Sequence, residues 1–79
     1  MTKVHLERVK QLRKKHKLSQ SDMAKILGFK TLYPYHRKEM GVQTFTADEI
    51  HTIAKYFNLP VEYFFVNEVA KNATNKNSA

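Results

Sequence analysis

Apolar residues recur at helical spacing near the start of the chain. Leu6, Val9 and Leu12 lie three residues apart, and basic residues surround them. This pattern predicts a first amphipathic helix over Thr2–Lys15, with an apolar stripe that belongs to the core. The basic residues that crowd its C-terminal end suit the negative end of the helix dipole.

A second helix is predicted just after the first. Ser19 is a natural N-cap residue, and Asp22 stands at the third position of the helix that it opens. Met23 and Ala24 follow on the apolar side. Gly28 then supplies a residue that tolerates the left-handed conformation in which helices often end.

A third helix is predicted to end at Gly41, but its start is ambiguous. Pro34 is tolerated only in the first turn of a helix, and it pushes Tyr33 towards an extended backbone. Thr31 or Tyr33 is therefore the expected N-cap. If Tyr33 is the N-cap, the third helix is under two turns long.

The second half of the chain predicts two more helices. Thr46 and Glu49 have the spacing of a capping box, which opens a fourth helix. Its apolar face comprises Ile50, Ile53, Ala54 and Phe57. A short fifth helix is predicted to start at 59–61 and to include Phe64 and Phe65. From about Asn72 the chain is polar and has no period.

The length and composition favour one small domain. The chain has 79 residues, no cysteine, two glycines and two prolines, which are too few for a strand-and-turn protein. We therefore predict a compact all-α fold of five helices over residues 1–69, followed by a flexible, disordered polar tail over 70–79. No apolar run is long enough for a membrane helix, and the charged N-terminus does not resemble a signal peptide. A reducing cytoplasm is the expected location.

The positive charge is concentrated in one half of the chain. The formal net charge is +7, and residues 1–41 hold 11 basic and 3 acidic groups, whereas residues 42–79 hold 3 and 4. A basic face of this kind is typical of a protein that binds phosphates, although a merely cationic, soluble surface is the simpler alternative.

The chain offers no set of residues for catalysis or metal binding. Its four histidines are 11, 20 and 15 residues apart, so no two of them form a helical metal pair. There is no glycine-rich phosphate loop and no recognisable pairing of a nucleophile with a base. We expect no enzyme activity, no cofactor, no metal and no small-molecule substrate.

An ordered set of residues resembles the Cro and lambda-type phage repressor helix-turn-helix domains, the XRE-type family. The set runs through Leu12-Arg13, Leu18-Ser19-Gln20, Met23-Ala24, Leu27-Gly28, Glu39-x-Gly41, Phe45-Thr46-x-x-Glu49, Ile53-Ala54 and Val61 to Phe65. The segment from Tyr35 to Thr46 is most similar to small regulators of prophages and mobile elements. The resemblance implies a lambda-repressor-like fold, with helices 2 and 3 as the helix-turn-helix. It implies a sequence-specific regulator of transcription, a repressor, in a bacterial or phage-infected cell.

The resemblance also implies roles for individual residues. The expected phosphate contacts are Ser19, Gln20, Lys30 and Lys38, and the expected base-reading residues are Leu32, Tyr33, His36 and Arg37. The resemblance further implies an ion pair between Arg13 and Glu39 that holds the third helix. The sequence departs from the family pattern by one extra residue before Tyr35 and by Pro34. If Tyr33 is the N-cap, the base-reading residues are instead Tyr33, Tyr35, His36 and Arg37.

The apolar end of the domain suggests a homodimer. Phe65, Val66 and Val69 exceed what a short last helix needs for its own core, and they are the predicted dimer interface. Such a dimer would bind a double-stranded operator with an inverted repeat. The alternative is that these residues close a thin core. An alternative function on the same fold is a protein-interaction module, such as an antitoxin or antirepressor.

Overall fold

Four α-helices and a small sheet make up residues 2–67, the part of the chain that the computed structural model describes. In chain order the elements are β1 (Thr2–Val4), α1 (Leu6–Lys15), α2 (Gln20–Ile26), α3 (Tyr33–Glu39), α4 (Ala47–Phe57), a 3₁₀ turn (Val61–Phe64) and β2 (Phe65–Asn67). The mostly helical character predicted from the sequence is confirmed for these residues. No helix within them combines the length and apolar character needed to cross a membrane.

Capping boxes start two of the helices. The Ser19 hydroxyl accepts from the Asp22 amide, and the Asp22 carboxylate accepts from the Ser19 amide, each at 2.9 Å. The same reciprocal bonds join Thr46 and Glu49 at the start of α4, at 2.9 and 3.1 Å. Each box satisfies two backbone N–H donors that the start of a helix would otherwise leave unpaired. The Thr46 box and the Ser19 cap were predicted at these positions, and the structure adds the return bond from Asp22; α2 and α4 begin at the residue after each cap.

The start of α3 falls one residue away from both predicted positions. Leu32 is its N-cap, and Pro34 lies in the first turn, where its missing N–H leaves no donor unpaired. The cap makes no side-chain hydrogen bond, which explains why no polar cap residue marks the start in the sequence. The helix ends at Glu39, and Gly41 follows with φ +86°, a conformation that favours glycine.

The two predicted terminal helical segments are partly strand, so the five-helix, all-α prediction is wrong there. The first helix starts at Leu6 and not at Thr2, and the predicted fifth helix is the single 3₁₀ turn followed by β2. The strands pair antiparallel, with Lys3 opposite Val66 and Val4 opposite Phe65. β-Branched and aromatic residues favour such pairing. The partner strands come from opposite ends of the described chain, which local periodicity cannot reveal.

The core lies where α1, α2, α3, α4 and the 3₁₀ turn meet. Its buried apolar residues are Val9, Leu12, Met23, Ala24, Tyr35, Phe45, Ile50, Ile53, Ala54 and Phe64. Glu39 is the one buried charged residue among residues 2–67, with 7% of its surface exposed. A carboxylate in such a core requires partners, because burying an unpaired charge is very unfavourable. Val69 and the predicted tail at 70–79 lie outside the described residues.

Candidate nucleic-acid interface

The buried carboxylate of Glu39 accepts four hydrogen bonds. Arg13 donates from Nε to Oε2 at 2.8 Å and from Nη2 to Oε1 at 3.2 Å. The Tyr35 hydroxyl donates to Oε2 at 2.7 Å, and the Gln20 amide donates from Nε2 to Oε1 at 2.8 Å. Each carboxylate oxygen therefore has two donors, which fills the acceptor capacity of the group. The structure brings together Arg13 and Glu39, the pair that the resemblance implied.

The electrostatics of this cluster favour an ionised carboxylate. Burial acts to raise the pKa of Glu39, but hydrogen bonds from Arg13, Tyr35 and Gln20 outweigh it and hold that pKa below its ordinary value. The hydrogen bond with Glu39 raises the pKa of Arg13. Burial, with the adjacent carboxylate second, raises the pKa of Tyr35, so its phenol keeps its proton. The cluster thus consists of one anion, one cation and two neutral donors.

The cluster joins three helices. Arg13 lies on α1, and its Nη1 also donates to the Leu18 carbonyl at 2.9 Å, just before α2. Gln20 is the first residue of α2, and Tyr35 and Glu39 lie one turn apart on α3. α3 is therefore held from its inner side by residues of both preceding helices. We name these four residues, Arg13, Gln20, Tyr35 and Glu39, the Glu39 cluster.

Three of the four predicted base-reading residues lie on another side of α3. Tyr33, His36 and Arg37 have the spacing i, i+3, i+4, so they share one side of the helix. Tyr33 is 62% exposed, Arg37 is exposed and His36 is half-buried. Leu32, the fourth, is half-buried at the cap. We name Tyr33, His36 and Arg37 the outer face of α3.

Both ends of the Gln20 amide contact residues within the domain. Its Nε2 donates to Glu39, and its Oε1 lies 3.0 Å from Nδ1 of His36. Sequence reasoning assigned this amide to a phosphate and missed both partners. The i, i+4 spacing of Tyr35 and Glu39 on one helix was the available sign that the carboxylate has more partners than Arg13.

The remaining predicted phosphate residues differ in their surroundings. Ser19 is exposed, and its hydroxyl is the cap acceptor of α2. Lys30 is exposed on the segment that connects α2 to α3. The Lys38 ammonium lies 2.9 Å from Glu49 Oε1 and donates to the Thr44 carbonyl at 2.9 Å. Lys38 thus ties α3 to the start of α4, a contact that the sequence reasoning missed.

Two of the three predicted dimer residues lie within the described part of the chain, and both are in the small sheet. Phe65 and Val66 are half-buried in β2, and Phe65 packs against the core. This packing is what the core-closing alternative predicts for Phe65. Within residues 2–67, no three histidine, aspartate or glutamate side chains come together to form a metal site.

The fold and this surface define a small, basic, mostly helical domain of the kind found in DNA-binding regulators. The family model of the BetR domain matches residues 1–77, nearly the whole chain, and the chain belongs to the BetR domain family. A BetR domain is a helix-turn-helix-like regulator domain, and membership indicates a regulatory, DNA-binding role. No curated protein and no solved structure matches the chain. The regulator class predicted from the sequence is confirmed, and its narrower Cro type stays a prediction.

Proposed function

We propose that this domain is a sequence-specific regulator of transcription, a repressor of the XRE or Cro type, in which α2 and α3 form the helix-turn-helix. In this proposal α3 enters the major groove of double-stranded DNA and α2 lies across the backbone. The observation that carries it is the outer face of α3, where Tyr33, His36 and Arg37 project from a helix whose inner side is held by the Glu39 cluster.

Each residue of the outer face has a chemistry suited to base edges. The Arg37 guanidinium can donate two parallel hydrogen bonds to O6 and N7 of guanine, the commonest specific contact in the major groove. Tyr33 offers a hydroxyl and an aromatic ring at the first position of α3. Leu32, at the cap, can contact the methyl group of thymine.

Phosphate contacts would position the domain without reading sequence. Ser19 and Lys30 are exposed before and after α2, on the part of the chain that would lie along the backbone. The strongly basic half, residues 1–41, would release counterions from the DNA and make its affinity depend on salt.

Reading an inverted repeat requires two copies of the domain. A two-fold dimer would place two copies of α3 about one helical turn of DNA apart. In this proposal the dimer interface uses the parts of Phe65 and Val66 that the core leaves exposed, since both residues are half-buried on β2. The size of the selected DNA site tests this part separately, since a monomer protects only one half-site.

The experiment is selection from a randomised duplex library, followed by binding measurements on the selected site. We expect an enriched inverted repeat. Arg37→Ala should weaken binding to that site by about 5- to 150-fold, the range of one good bidentate contact. Lys55→Ala is the matched control, because Lys55 is an exposed cation on α4, outside the basic half. It should change affinity little.

The opposite result would overturn the proposal. A folded protein that enriches no sequence, or an Arg37→Ala variant that binds like the wild type, would remove base reading by α3. If the affinity for DNA barely depends on salt, the domain does not neutralise phosphates, and the protein-interaction alternative is favoured, because an apolar contact with a protein releases no counterions.

A further inference from the structure

The Gln20 side chain connects a buried anion to a residue of the outer face. Its two ends contact different partners: Nε2 is 2.8 Å from Glu39 Oε1, and Oε1 is 3.0 Å from His36 Nδ1. The chain of contacts therefore runs from Arg13 through Glu39 and Gln20 to the ring of His36. Each link carries a direction, because one atom must donate and the other must accept.

The ionised carboxylate fixes the direction of the first link. An ionised Glu39 can only accept hydrogen bonds, so the atom of Gln20 that faces it must be the NH₂ group. The reverse orientation would set the amide oxygen against a carboxylate oxygen at 2.8 Å, with no hydrogen between them. The amide oxygen of Gln20 consequently faces His36.

The second link then fixes the imidazole ring. The Gln20 oxygen can only accept, so Nδ1 of His36 must carry the hydrogen. A neutral imidazole has one hydrogen, which leaves a lone pair on Nε2. Within residues 2–67, Nε2 makes no hydrogen bond, and no fully buried side-chain nitrogen lacks a partner, so Nε2 keeps some contact with solvent in this part of the chain.

We propose that Glu39, acting through Gln20, holds neutral His36 in the Nδ1–H tautomer, so that Nε2 selects a base with an exocyclic amino group. In the major groove only adenine N6 and cytosine N4 donate hydrogen bonds. Guanine and thymine present acceptors there, and a phosphate oxygen is also an acceptor, so none of these can bond to a bare Nε2. The base-selecting part rests on the proposed function, whereas the tautomer is a property of the free protein.

Nuclear magnetic resonance of the free protein tests the tautomer directly. Two-bond ¹H–¹⁵N correlation spectra of the histidine rings are recorded at a pH at which the rings are neutral, because a protonated ring carries hydrogen on both nitrogens. We expect a protonated-type ¹⁵N shift at Nδ1 of His36 and an unprotonated-type shift at Nε2. The exposed His16, which makes no hydrogen bond to Gln20, is the internal comparison.

Two variants test whether the cluster sets the tautomer. Gln20→Leu removes the acceptor that faces Nδ1, and Glu39→Gln allows the Gln20 amide to rotate. Both should shift His36 towards Nε2–H and leave the His16 ring signals unchanged. If Glu39→Gln does not fold, Gln20→Leu still decides, because Gln20 is a half-buried residue outside the apolar core. A wild-type His36 that carries hydrogen on Nε2 overturns the proposal, and so does a tautomer that is unchanged in Gln20→Leu.

DNA selection with the wild type and with His36→Ala tests the base preference. We expect one position at which the wild type prefers adenine or cytosine by about 5-fold or more and at which His36→Ala has no preference. A preference for guanine or thymine at the position lost in His36→Ala overturns the base-selecting part. If the wild type selects no sequence at all, the proposed function fails and base selection fails with it, while the ring spectra still decide the tautomer.

Discussion

Replacing Glu39 by alanine should destabilise the domain more than any other single change to an acidic residue in residues 2–67. The substitution leaves the Arg13 guanidinium, with 12% of its side chain exposed, without its counter-charge. It also leaves the Tyr35 hydroxyl and the Gln20 amide without an acceptor. Breaking a buried ion pair by removing one partner costs about 3–5 kcal/mol, because the remaining charge loses its counter-charge without regaining full contact with water.

This cost is a large share of the stability of a small domain. A chain of this length is stable by about 4–12 kcal/mol, and each kcal/mol shifts the melting temperature by about 4–8 °C. We therefore expect Glu39→Ala to lower the melting temperature, followed by circular dichroism, by more than about 10 °C. Glu62→Ala is the control, since Glu62 is exposed and should melt like the wild type. A Glu39→Ala variant that melts within about 3 °C of the wild type would refute the reasoning.

The same cluster predicts how stability depends on pH. The folded-state pKa of Glu39 lies below its ordinary value of 4.5, so the unfolded chain takes up this proton first as the pH falls. Its contribution to the free energy of unfolding is therefore complete above about pH 4.5 and is lost as the pH falls through the folded-state pKa. In urea titrations, the difference between the wild type and Glu39→Gln should shrink over this acidic range. A difference that grows with acidity would contradict the assigned sign.

Two further matched pairs of variants follow from the structure. A Cβ atom on Gly41 would lie 3.1 Å from Leu6 Cδ1, whereas one on Gly28 would meet nothing within 4 Å, and both residues have positive φ. Gly28→Ala should cost about 1–2 kcal/mol of unfolding free energy for the left-handed backbone alone, and Gly41→Ala should cost more. Lys30→Ala should reduce the slope of log affinity for DNA against log salt by about 0.9, the value for one lost phosphate contact. Lys38→Ala should lower the melting temperature and leave that slope near the wild-type value, because Lys38 binds Glu49. If Lys30→Ala and Lys38→Ala reduce the slope equally, both lysines contact the DNA.

Features that depend on neighbouring residues were predictable from the sequence. The Ser19 and Thr46 caps mark the starts of α2 and α4 because a capping box is a bond between residues three apart. The strands were not predictable in this way. Val4 and Phe65 meet only because the two ends of the described chain come together, and a three-residue strand has no period long enough to distinguish it from a helix end.

In the candidate site, too, features that depend on sequence neighbours were predictable and features that depend on distant residues were not. Spacing along one helix puts Tyr33, His36 and Arg37 on a common face, and this could be predicted once α3 was located. The partners of Gln20 could not, because they depend on how closely α2 approaches α3. The resemblance implied a pair of charges, and the structure replaces that pair with a cluster in which neutral donors are as close to the carboxylate as the arginine is.

Stability alone is a weak reason for the Glu39 cluster. A buried ion pair often contributes no more to the free energy of unfolding than well-packed apolar side chains of the same volume, because removing both charges from water is unfavourable. Apolar side chains, however, have no direction, whereas the carboxylate of Glu39 orients the amide of Gln20 and thereby the ring of His36. The buried charge is therefore better explained by what it does to the outer face of α3. The Glu39 carboxylate gives the Gln20 amide and the His36 ring fixed hydrogen-bond donors and acceptors in the free domain.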